Sequence, residues 1–324
     1  MYSQAELKEL VDRAIVNLSL SEEAERLTDP VKYILSIGGK RLRPVLALMS
    51  CNLFSDKVDE AVIPAIGLEI FHNFTLVHDD IMDQAPVRRS FPTVHIKWNV
   101  NQAILSGDVM AFIANDCFLQ TPPSQIQKVF KTYNRAAIDV CIGQQLDMDF
   151  EKASMVSHSE YLRMIELKTA VLIAASAKIG ALIGEAGEKD AEHLFEFGKN
   201  LGMAFQIQDD LLDVYGDSNV FGKVSGGDIV SNKKTFLLVK ALEIATGKQL
   251  KKLREQLKLK EPDPELKIKT VMGIYDDLNI RSITEDLANE FISKSLDHLW
   301  STEPDHERKN ELSQFASSLV GRKK

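Results

Sequence analysis

Apolar residues recur along most of the chain at the spacing of an amphipathic helix, whereas the alternating pattern of a half-buried strand is hard to find. Turn-forming pairs such as Gly38-Gly39 and Pro122-Pro123 interrupt this pattern. The candidate helices cover residues 4–20, 43–54, 58–83, 99–119, 124–149, 159–184, 189–215, 231–246, 262–276, 280–299 and 306–320. Because no low-complexity linker separates two halves, we predict an all-α fold in a single domain over residues 1–324.

Composition and charge narrow the class of protein. The chain has 44% hydrophobic and 27% charged residues, which is typical of a folded globular protein. Its net charge of -8 argues against a nucleic-acid partner, because a phosphate backbone attracts a basic surface. The three cysteines, Cys51, Cys117 and Cys141, lie in helical segments and are expected to be buried apolar residues in a reducing compartment. No signal peptide or uncharged membrane-length run is found, so we expect a soluble, cytoplasmic protein without membrane insertion.

One acidic pattern occurs twice. Asp79, Asp80 and Asp83 form a DDxxD segment, and Asp209, Asp210 and Asp213 repeat it. A helix turns about 100° per residue, so the three carboxylates of each segment should lie on one side and repel one another unless cations separate them. Carboxylates suit Mg²⁺, which also takes phosphate oxygens and water. A lone acidic segment is most often a solvated helix end, but two copies within apolar sequence favour a magnesium site that binds a diphosphate.

Basic residues follow these segments at several places. Gly38 to Pro44 (GGKRLRP) places Lys40, Arg41 and Arg43 at a glycine turn that opens a helix, which suits phosphate binding, although a solvated loop is equally compatible. The other candidates are Arg88 and Arg89 after the first acidic segment, Lys168-Thr169 within a helix, Lys223 in a glycine-rich loop, and Lys233. Arg88 and Arg89 could instead neutralise the aspartates. His72 is either a phosphate ligand or a buried structural histidine, and His78 is expected to be structural.

Taken together, these segments resemble the trans-type isoprenyl diphosphate synthases. GGKRLRP, LVHDDIMD followed by RR, GQQLD, LKT, FQIQDDLLD, and GK with a later KKT occur in that family's order. The resemblance implies a helical bundle around a deep central cavity, the isoprenoid synthase-like fold, usually in a homodimer. It also implies three Mg²⁺ ions, for which Mn²⁺ substitutes, and two substrates, isopentenyl diphosphate and an allylic diphosphate.

The resemblance assigns roles residue by residue. Asp79, Asp83 and Asp209 match direct metal ligands, and Asp80, Asp210 and Asp213 match residues that bind metal through water or support the ligands. The isopentenyl diphosphate positions match Lys40, Arg43, His72 and Arg89. The allylic diphosphate positions match Arg88, Lys168, Lys223 and Lys233. Thr169 and Gln206 match polar residues beside the reacting carbons, and Gln144 and Asp147 match an element near the metals.

The implied reaction ionises the allylic carbon–oxygen bond, and the alkene of isopentenyl diphosphate then attacks the cation. Metals and basic side chains stabilise the leaving diphosphate, and apolar walls exclude water. Product length should depend on the residues before Asp79, where Phe71 and Phe74 match a bulky floor and Thr75 is smaller than the aromatic often found there. We expect a product of fifteen or twenty carbons.

Three alternatives differ in their predictions. An HD-type phosphohydrolase would use His78 and Asp79, but it would need further histidines and leaves the second acidic segment unexplained. A terpene cyclase of the same fold would not need Lys40 and Arg43 for a second diphosphate. A non-catalytic partner subunit of a prenyltransferase is disfavoured by two intact acidic segments.

Overall fold

The computed structural model describes residues 2–21, 23–216, 226–259 and 261–320. Nearly all of the regular structure is helical, which confirms the predicted all-α class. The first ten helices are α1 (Gln4–Val16), α2 (Glu25–Ser36), α3 (Leu42–Phe54), α4 (Asp59–Met82), α5 (Val94–Lys97), α6 (Val100–Leu119), α7 (Ile126–Lys152), α8 (His158–Ile165), α9 (Val171–Ile183) and α10 (Glu188–Tyr215). The others are α11 (Gly227–Val230), α12 (Phe236–Ile244), α13 (Gly247–Leu257), α14 (Pro264–Asp277), α15 (Ile280–Trp300) and α16 (His306–Val320). A π-helical segment, Glu166–Ala170, joins α8 to α9.

Two helices are absent from the sequence-based prediction. Helix α2 contains Pro30, which normally disfavours a helix interior, but Val31 and Ile34 on its apolar face are buried and stabilise it through packing. Helix α13 is mostly polar, and Leu253 is its one fully buried side chain among the described residues. In both cases tertiary packing outweighs a weak local signal.

Residues 231–246 were predicted as one helix and are not. Asn232 adopts a positive φ of 61°, which interrupts the helical path after α11. Thr235 then acts as the N-cap of α12, because its side chain accepts a hydrogen bond from the Leu238 backbone N–H. The extended residues between these helices carry Lys233.

A two-stranded hairpin follows α4 and was also missed by the sequence analysis. Strands β1 (Val87–Arg88) and β2 (Phe91–Pro92) pair antiparallel, with Val87 opposite Pro92 and Arg88 opposite Phe91. The two turn residues, Arg89 and Ser90, have φ values of 51° and 67°, as a type I′ turn requires. Two-residue strands are too short to show an alternating pattern, so the sequence carried no signal for them.

The chain divides into two compact units. Unit 1 comprises Met1–Asn134, Ala175–Phe195 and Thr302–Leu312, and unit 2 comprises Arg135–Ala174, Glu196–Ser301 and Ser313–Lys324. The single domain and the central cavity expected from the sequence stay predictions.

In unit 1, α4 packs closely against α6. The approach depends on Gly67, where an added Cβ would lie 3.0 Å from Cys117 Cβ and 3.1 Å from the Ala114 carbonyl oxygen. Helix α4 is long and apolar enough to cross a membrane by length and composition, but 61% of its apolar window is buried inside the protein and it contains the buried Glu69. We therefore interpret α4 as a core helix.

Unit 2 contains two apolar clusters. One is centred on Leu237, Leu253 and Tyr275, and the other on Tyr161, Ile207 and Phe236. The second cluster lies directly beneath the polar residues described below.

The cysteines differ from the expectation at one position. Cys51 and Cys117 are buried as expected, but Cys141 is exposed. Its place in a helix was correct, and it lies on the outward face of α7.

Candidate active site

The first acidic segment lies at the C-terminal end of α4, and its three carboxylates have different environments. Asp80 is buried, whereas Asp79 is partly exposed and Asp83 is exposed. Asp83 is the C-cap residue, and its backbone N–H donates to the Asp79 carbonyl over 2.9 Å, so the two side chains are one helical turn apart. The expectation that all three carboxylates point the same way is therefore met only by Asp79 and Asp83.

Arg88 neutralises the buried Asp80. The Arg88 Nε lies 2.9 Å from both Asp80 carboxylate oxygens, and Nη2 lies 2.8 Å from Oδ1 and 3.8 Å from Asp79 Oδ2. Burial raises the pKa of Asp80, and the arginine opposes that effect by favouring the charged carboxylate. Arg88 thus has the neutralising contact that the sequence analysis left open beside phosphate binding.

Local backbone geometry brings Arg88 back to α4. The helix ends in a Schellman motif, in which Gln84 has a φ of 51° and the Ala85 N–H donates to the Asp80 carbonyl over 3.0 Å. The β1–β2 hairpin then reverses the chain within a few residues. Arg88 therefore lies beside the aspartate that precedes it by eight positions.

A second feature of unit 1 is the loop before α3. Arg41, in the middle of GGKRLRP, is buried and has a φ of 50°. Its Nη1 donates to Glu69 Oε1 over 2.8 Å and its Nη2 donates to the Leu35 carbonyl over 2.7 Å. This buried ion pair attaches the loop to α4 and leaves Lys40, which is exposed, and Arg43 on either side of the anchor. The sequence did not distinguish Arg41 from its two basic neighbours.

Around His72, unit 1 concentrates positive charge. Burial lowers the pKa of His72 well below its usual value, and Arg43, Arg89 and Arg88 lower it further. Burial likewise lowers the pKa of Arg43 to about 10. The Arg43 Nε is buried and has no hydrogen-bond acceptor within the part of the chain that the structure describes. Arg89 donates through Nη1 to the Gly38 carbonyl oxygen. We call Arg43, Arg88, Arg89 and the neutral His72 the cation cluster.

The residues before Asp79 form an aromatic layer. The Phe71 ring centroid lies 5.4 Å from those of Phe74 and Tyr133, and Phe118 stacks on Tyr133 at 4.0 Å. Thr75 donates through its hydroxyl to the His72 carbonyl over 2.7 Å. Phe71 is buried and Phe74 is partly exposed, so of the two Phe74 is the one available to a ligand.

His78 has the structural contacts expected of it. Its ring lies 4.8 Å from the Phe74 ring and its Nε2 lies 3.1 Å from the Ile104 carbonyl oxygen.

The second acidic segment lies within α10 in unit 2 and repeats the arrangement of the first. Asp209 is exposed, whereas Asp210 is buried and its pKa is raised by that burial. Asp210 accepts hydrogen bonds from the Tyr161 hydroxyl, from Gln206 Nε2 over 3.1 Å and from the Phe236 N–H over 3.1 Å. In both segments the second aspartate is therefore held by protein groups, and the first is more accessible.

A fourth carboxylate joins this segment. Asp213 Oδ2 accepts from the Asp228 backbone N–H over 3.0 Å. Burial raises the pKa of Asp228 to about 6, and Lys233, 3.8 Å away, opposes that rise. Asp228 was named in the sequence analysis of the notable loop only through its neighbours, because the sequence did not show that the chain returns to α10 here.

Lys168 and Thr169 lie in the π-helical segment, where the sequence predicted a continuous helix. Such segments often occur at functional sites because they displace side chains from the regular helical path. Lys168 Nζ donates to Asp147 Oδ2 over 2.6 Å, and the Thr169 hydroxyl donates to Gln206 Oε1 over 3.0 Å. These contacts bring together four of the residues that the resemblance singled out.

A cavity of about 50 Å³ lies among these residues in unit 2. Its walls carry both carboxylates and ammonium groups beside apolar side chains. It is lined by Asp147, Tyr161, Met164, Ile165, Lys168, Thr169, Gln206, Asp210, Lys233, Lys234 and Thr235.

Lys267 supports the segment that carries Lys233 and was missed by the sequence analysis. It is buried, and its Nζ donates to the Val230 carbonyl over 2.8 Å and to Asn232 Oδ1 over 2.7 Å. Lys223, predicted to contact the allylic diphosphate, lies outside the described residues.

The donor set fits magnesium when a phosphate is also bound. Across the described residues, no three His, Cys, Asp or Glu side chains gather closely enough to hold a metal ion by themselves. Mg²⁺ normally binds through one or two carboxylates and completes its coordination with phosphate oxygens and water. Asp79 with Asp83, and Asp209, offer accessible carboxylates of that kind.

Comparisons with known proteins agree with this site. Residues 24–275 match the family model described as polyprenyl synthetase. A geranylgeranyl diphosphate synthase from Methanosarcina mazei is 40% identical over 235 residues, which cover 72% of this chain and 72% of that protein. A crystal structure of a geranylgeranyl pyrophosphate synthase covers 100% of both chains with a TM-score of 0.95 and 39% identity. A further synthase, from Corynebacterium glutamicum, was solved with isoprenyl diphosphate and magnesium; it shares the fold at 24% identity, with a TM-score of 0.84 and coverage of 99% and 97%.

The family match spans most of the chain, so the chain belongs to the polyprenyl synthetase family. It is accordingly a short-chain prenyltransferase, in a family that uses divalent metal ions. This confirms the resemblance drawn from the motifs and excludes the phosphohydrolase alternative. The roles of individual residues stay predictions, as does the convergence of the two acidic segments on one cavity.

Proposed function

We propose that this protein condenses isopentenyl diphosphate with an allylic diphosphate (dimethylallyl, geranyl or farnesyl) and releases geranylgeranyl diphosphate and inorganic diphosphate. The observation that carries the proposal is the presence, within unit 1, of an accessible carboxylate pair, Asp79 and Asp83, together with the cation cluster. A diphosphate bound with magnesium needs both kinds of group.

The isopentenyl diphosphate would bind at Lys40, Arg43, His72 and Arg89. Arg43 Nε has no acceptor among the described residues, and the positive charge around it keeps His72 neutral. A neutral imidazole donates one hydrogen bond without adding a charge. An anion here would satisfy Arg43 and relieve the repulsion between the arginines.

The allylic diphosphate would be held by Lys168, Lys233 and Lys223, and by Arg88 where its contact with Asp80 allows a second partner. Three Mg²⁺ ions, or Mn²⁺ in their place, would bind at Asp79, Asp83 and Asp209, and would supply positive charge to the leaving diphosphate. Asp80, Asp210 and Asp213 would support these ligands from their protein contacts.

The chain's own residues would then direct the reaction. Lys168 and Lys233 stabilise negative charge as the allylic carbon–oxygen bond breaks, because their ammonium groups lie at the cavity wall. Thr169 and Gln206 orient the reacting carbons. Met164 and Ile165 exclude water from the carbocation. The departing diphosphate accepts the proton that completes the new double bond.

The relatives' names support a product of twenty carbons over the fifteen-carbon alternative. Phe74 would limit growth of the tail, since it stands in front of the buried Phe71 and Tyr133.

A homodimer is supported by one face of α6. Leu105, Phe112 and Leu119 are spaced seven residues apart and are 56%, 68% and 60% exposed. This spacing places them on one side of the helix, and an apolar stripe of this kind marks a protein interface. Light scattering after Phe112→Asp should detect a monomer, and an unchanged mass would exclude α6 as the interface. We also place the protein in the cytoplasm.

One assay tests the enzyme activity. The protein is incubated with labelled isopentenyl diphosphate, each allylic primer and Mg²⁺, and the products are sized by chromatography. We expect a twenty-carbon diphosphate, complete loss with a chelator, recovery on adding Mg²⁺, and loss in Asp79→Ala. An inactive wild type would favour the non-catalytic partner subunit, and activity that persists in the chelator would refute the metal sites.

A further inference from the structure

The polar side chains at the cavity of unit 2 form one continuous chain of hydrogen bonds that ends on a buried carboxylate. The Thr169 hydroxyl donates to Gln206 Oε1, and Gln206 Nε2 donates to Asp210 Oδ1. The other oxygen, Asp210 Oδ2, accepts from the Tyr161 hydroxyl and the Phe236 N–H. Each group therefore determines the orientation of the next.

The direction of this chain follows from the chemistry of its two buried ends. An ionised carboxylate accepts hydrogen bonds and donates none, and Asp210 receives all of its recorded contacts as an acceptor. Burial raises the pKa of the Tyr161 hydroxyl well above its usual value, and Asp210 raises it further, so the tyrosine stays a donor. Gln206 must then present its NH₂ group to Asp210 and its oxygen to Thr169.

We propose that Tyr161 is a positioning residue: it holds the Asp210 carboxylate, which orients the Gln206 amide and through it the Thr169 hydroxyl at the cavity. This rests on the proposed function for the part played by Gln206 and Thr169. Tyr161 lines the cavity but acts through Asp210.

The ring and the hydroxyl of Tyr161 have separable roles. The ring belongs to an apolar cluster and lies 6.3 Å from the Phe236 ring, while the hydroxyl makes the contact with Asp210. Tyr161→Phe keeps the packing and removes one donor. Tyr275→Phe is the matched control, because Tyr275 is a buried tyrosine of the other apolar cluster in unit 2 and is not among the recorded donors to Asp210.

The first experiment needs no substrate. Side-chain amide resonances are recorded by NMR, and the Gln206 pair is identified as the one that disappears in Gln206→Leu. We expect this pair to shift in Tyr161→Phe and to stay in place in Tyr275→Phe. An unmoved pair in Tyr161→Phe would overturn the proposal, whatever the reaction of the protein is.

The second experiment measures turnover in four variants. We expect Tyr161→Phe to lower kcat about tenfold, as loss of one hydrogen bond to a charged group does, and to leave the KM for isopentenyl diphosphate unchanged within about twofold. In a Gln206→Leu background the same change should lower kcat less than about twofold, because the residue it acts through is gone. Equal losses in both backgrounds, or an equal loss in Tyr275→Phe, would overturn the proposal. A wild type without prenyltransferase activity would refute the proposed function and leave the NMR result to decide this inference.

Discussion

Gly143, in the middle of α7, allows that helix to approach the π-helical segment. A Cβ added at this position would lie 2.6 Å from Lys168 Cα and 2.7 Å from the Leu167 carbonyl carbon, and closer still to the Lys168 nitrogen. All three are backbone atoms, so no side-chain rotation can relieve the overlap. Gly143→Ala is therefore expected to push the two segments apart.

The size of the displacement follows from these distances. Ordinary contacts begin at 3.4 Å, so the segments must separate by about 0.8 Å, the difference between 3.4 and 2.6 Å. Overpacking of a core contact costs about 1–3 kcal/mol. The same movement carries Lys168 away from Asp147 and Thr169 away from Gln206, and misplacing catalytic groups by about 1 Å lowers turnover on the order of 100-fold.

Two measurements check this expectation. Thermal unfolding should show a melting temperature lower by about 2–10 °C, at about 2–4 °C per kcal/mol for a large domain. Steady-state assays should show a loss in kcat far larger than that stability change explains at 25 °C. Gly273→Ala is the matched control, because Gly273 is also inside a helix of unit 2 and an added Cβ there meets nothing within 4 Å. That control should be as active as the wild type and at least as stable.

If Gly143→Ala matches Gly273→Ala in both stability and kcat, the close approach does not position Lys168 and Thr169. The reasoning from backbone overlap would then be wrong.

Three other perturbations follow from the site. Arg88→Ala should lower the free energy of unfolding by about 3 kcal/mol, because it leaves the buried Asp80 carboxylate without its partner; Asp80→Asn in the same chain should restore much of that loss in urea titrations, and an additive loss would contradict this. Stability should fall between pH 7 and 5 more steeply in the wild type than in His72→Gln. The reason is that unfolded His72 binds a proton below about pH 6.5 while the folded residue, with its lowered pKa, does not. The difference in slope should approach about 1.4 kcal/mol per pH unit, and identical slopes would show that His72 titrates normally in the fold. Phe74→Ala should lengthen the product by at least one five-carbon unit, and an unchanged product spectrum by chromatography would exclude Phe74 as the floor.

Long helices and the main motifs could be predicted because their signals are local. The apolar periodicity of α4, α6 and α10 covers many turns, and the predicted bounds of these helices agree with the structure within a residue or two. The prediction was wrong for α2 and α13, where a proline and a mostly polar composition concealed helices that tertiary packing stabilises. The β1–β2 hairpin was too short to leave a pattern.

The candidate site was predictable as a set of residue types and not as a set of contacts. Glycine, lysine and aspartate at fixed spacing identified phosphate and metal chemistry. No spacing showed that Tyr161 would donate to Asp210, that Arg41 would be buried against Glu69, or that Lys267 would hold the segment before Lys233. These partners are separated in the chain by 49, 28 and 35 residues respectively.

The sequence by itself determined the helical class, the two acidic segments and the basic residues that accompany them, because helical periodicity and charge are properties of neighbouring residues. Only the tertiary structure decided which aspartate of each segment is buried and which is accessible. Burial and hydrogen bonding depend on helices that are distant in the chain, and they give Asp80 and Asp210 protein partners while Asp83 and Asp209 face outward.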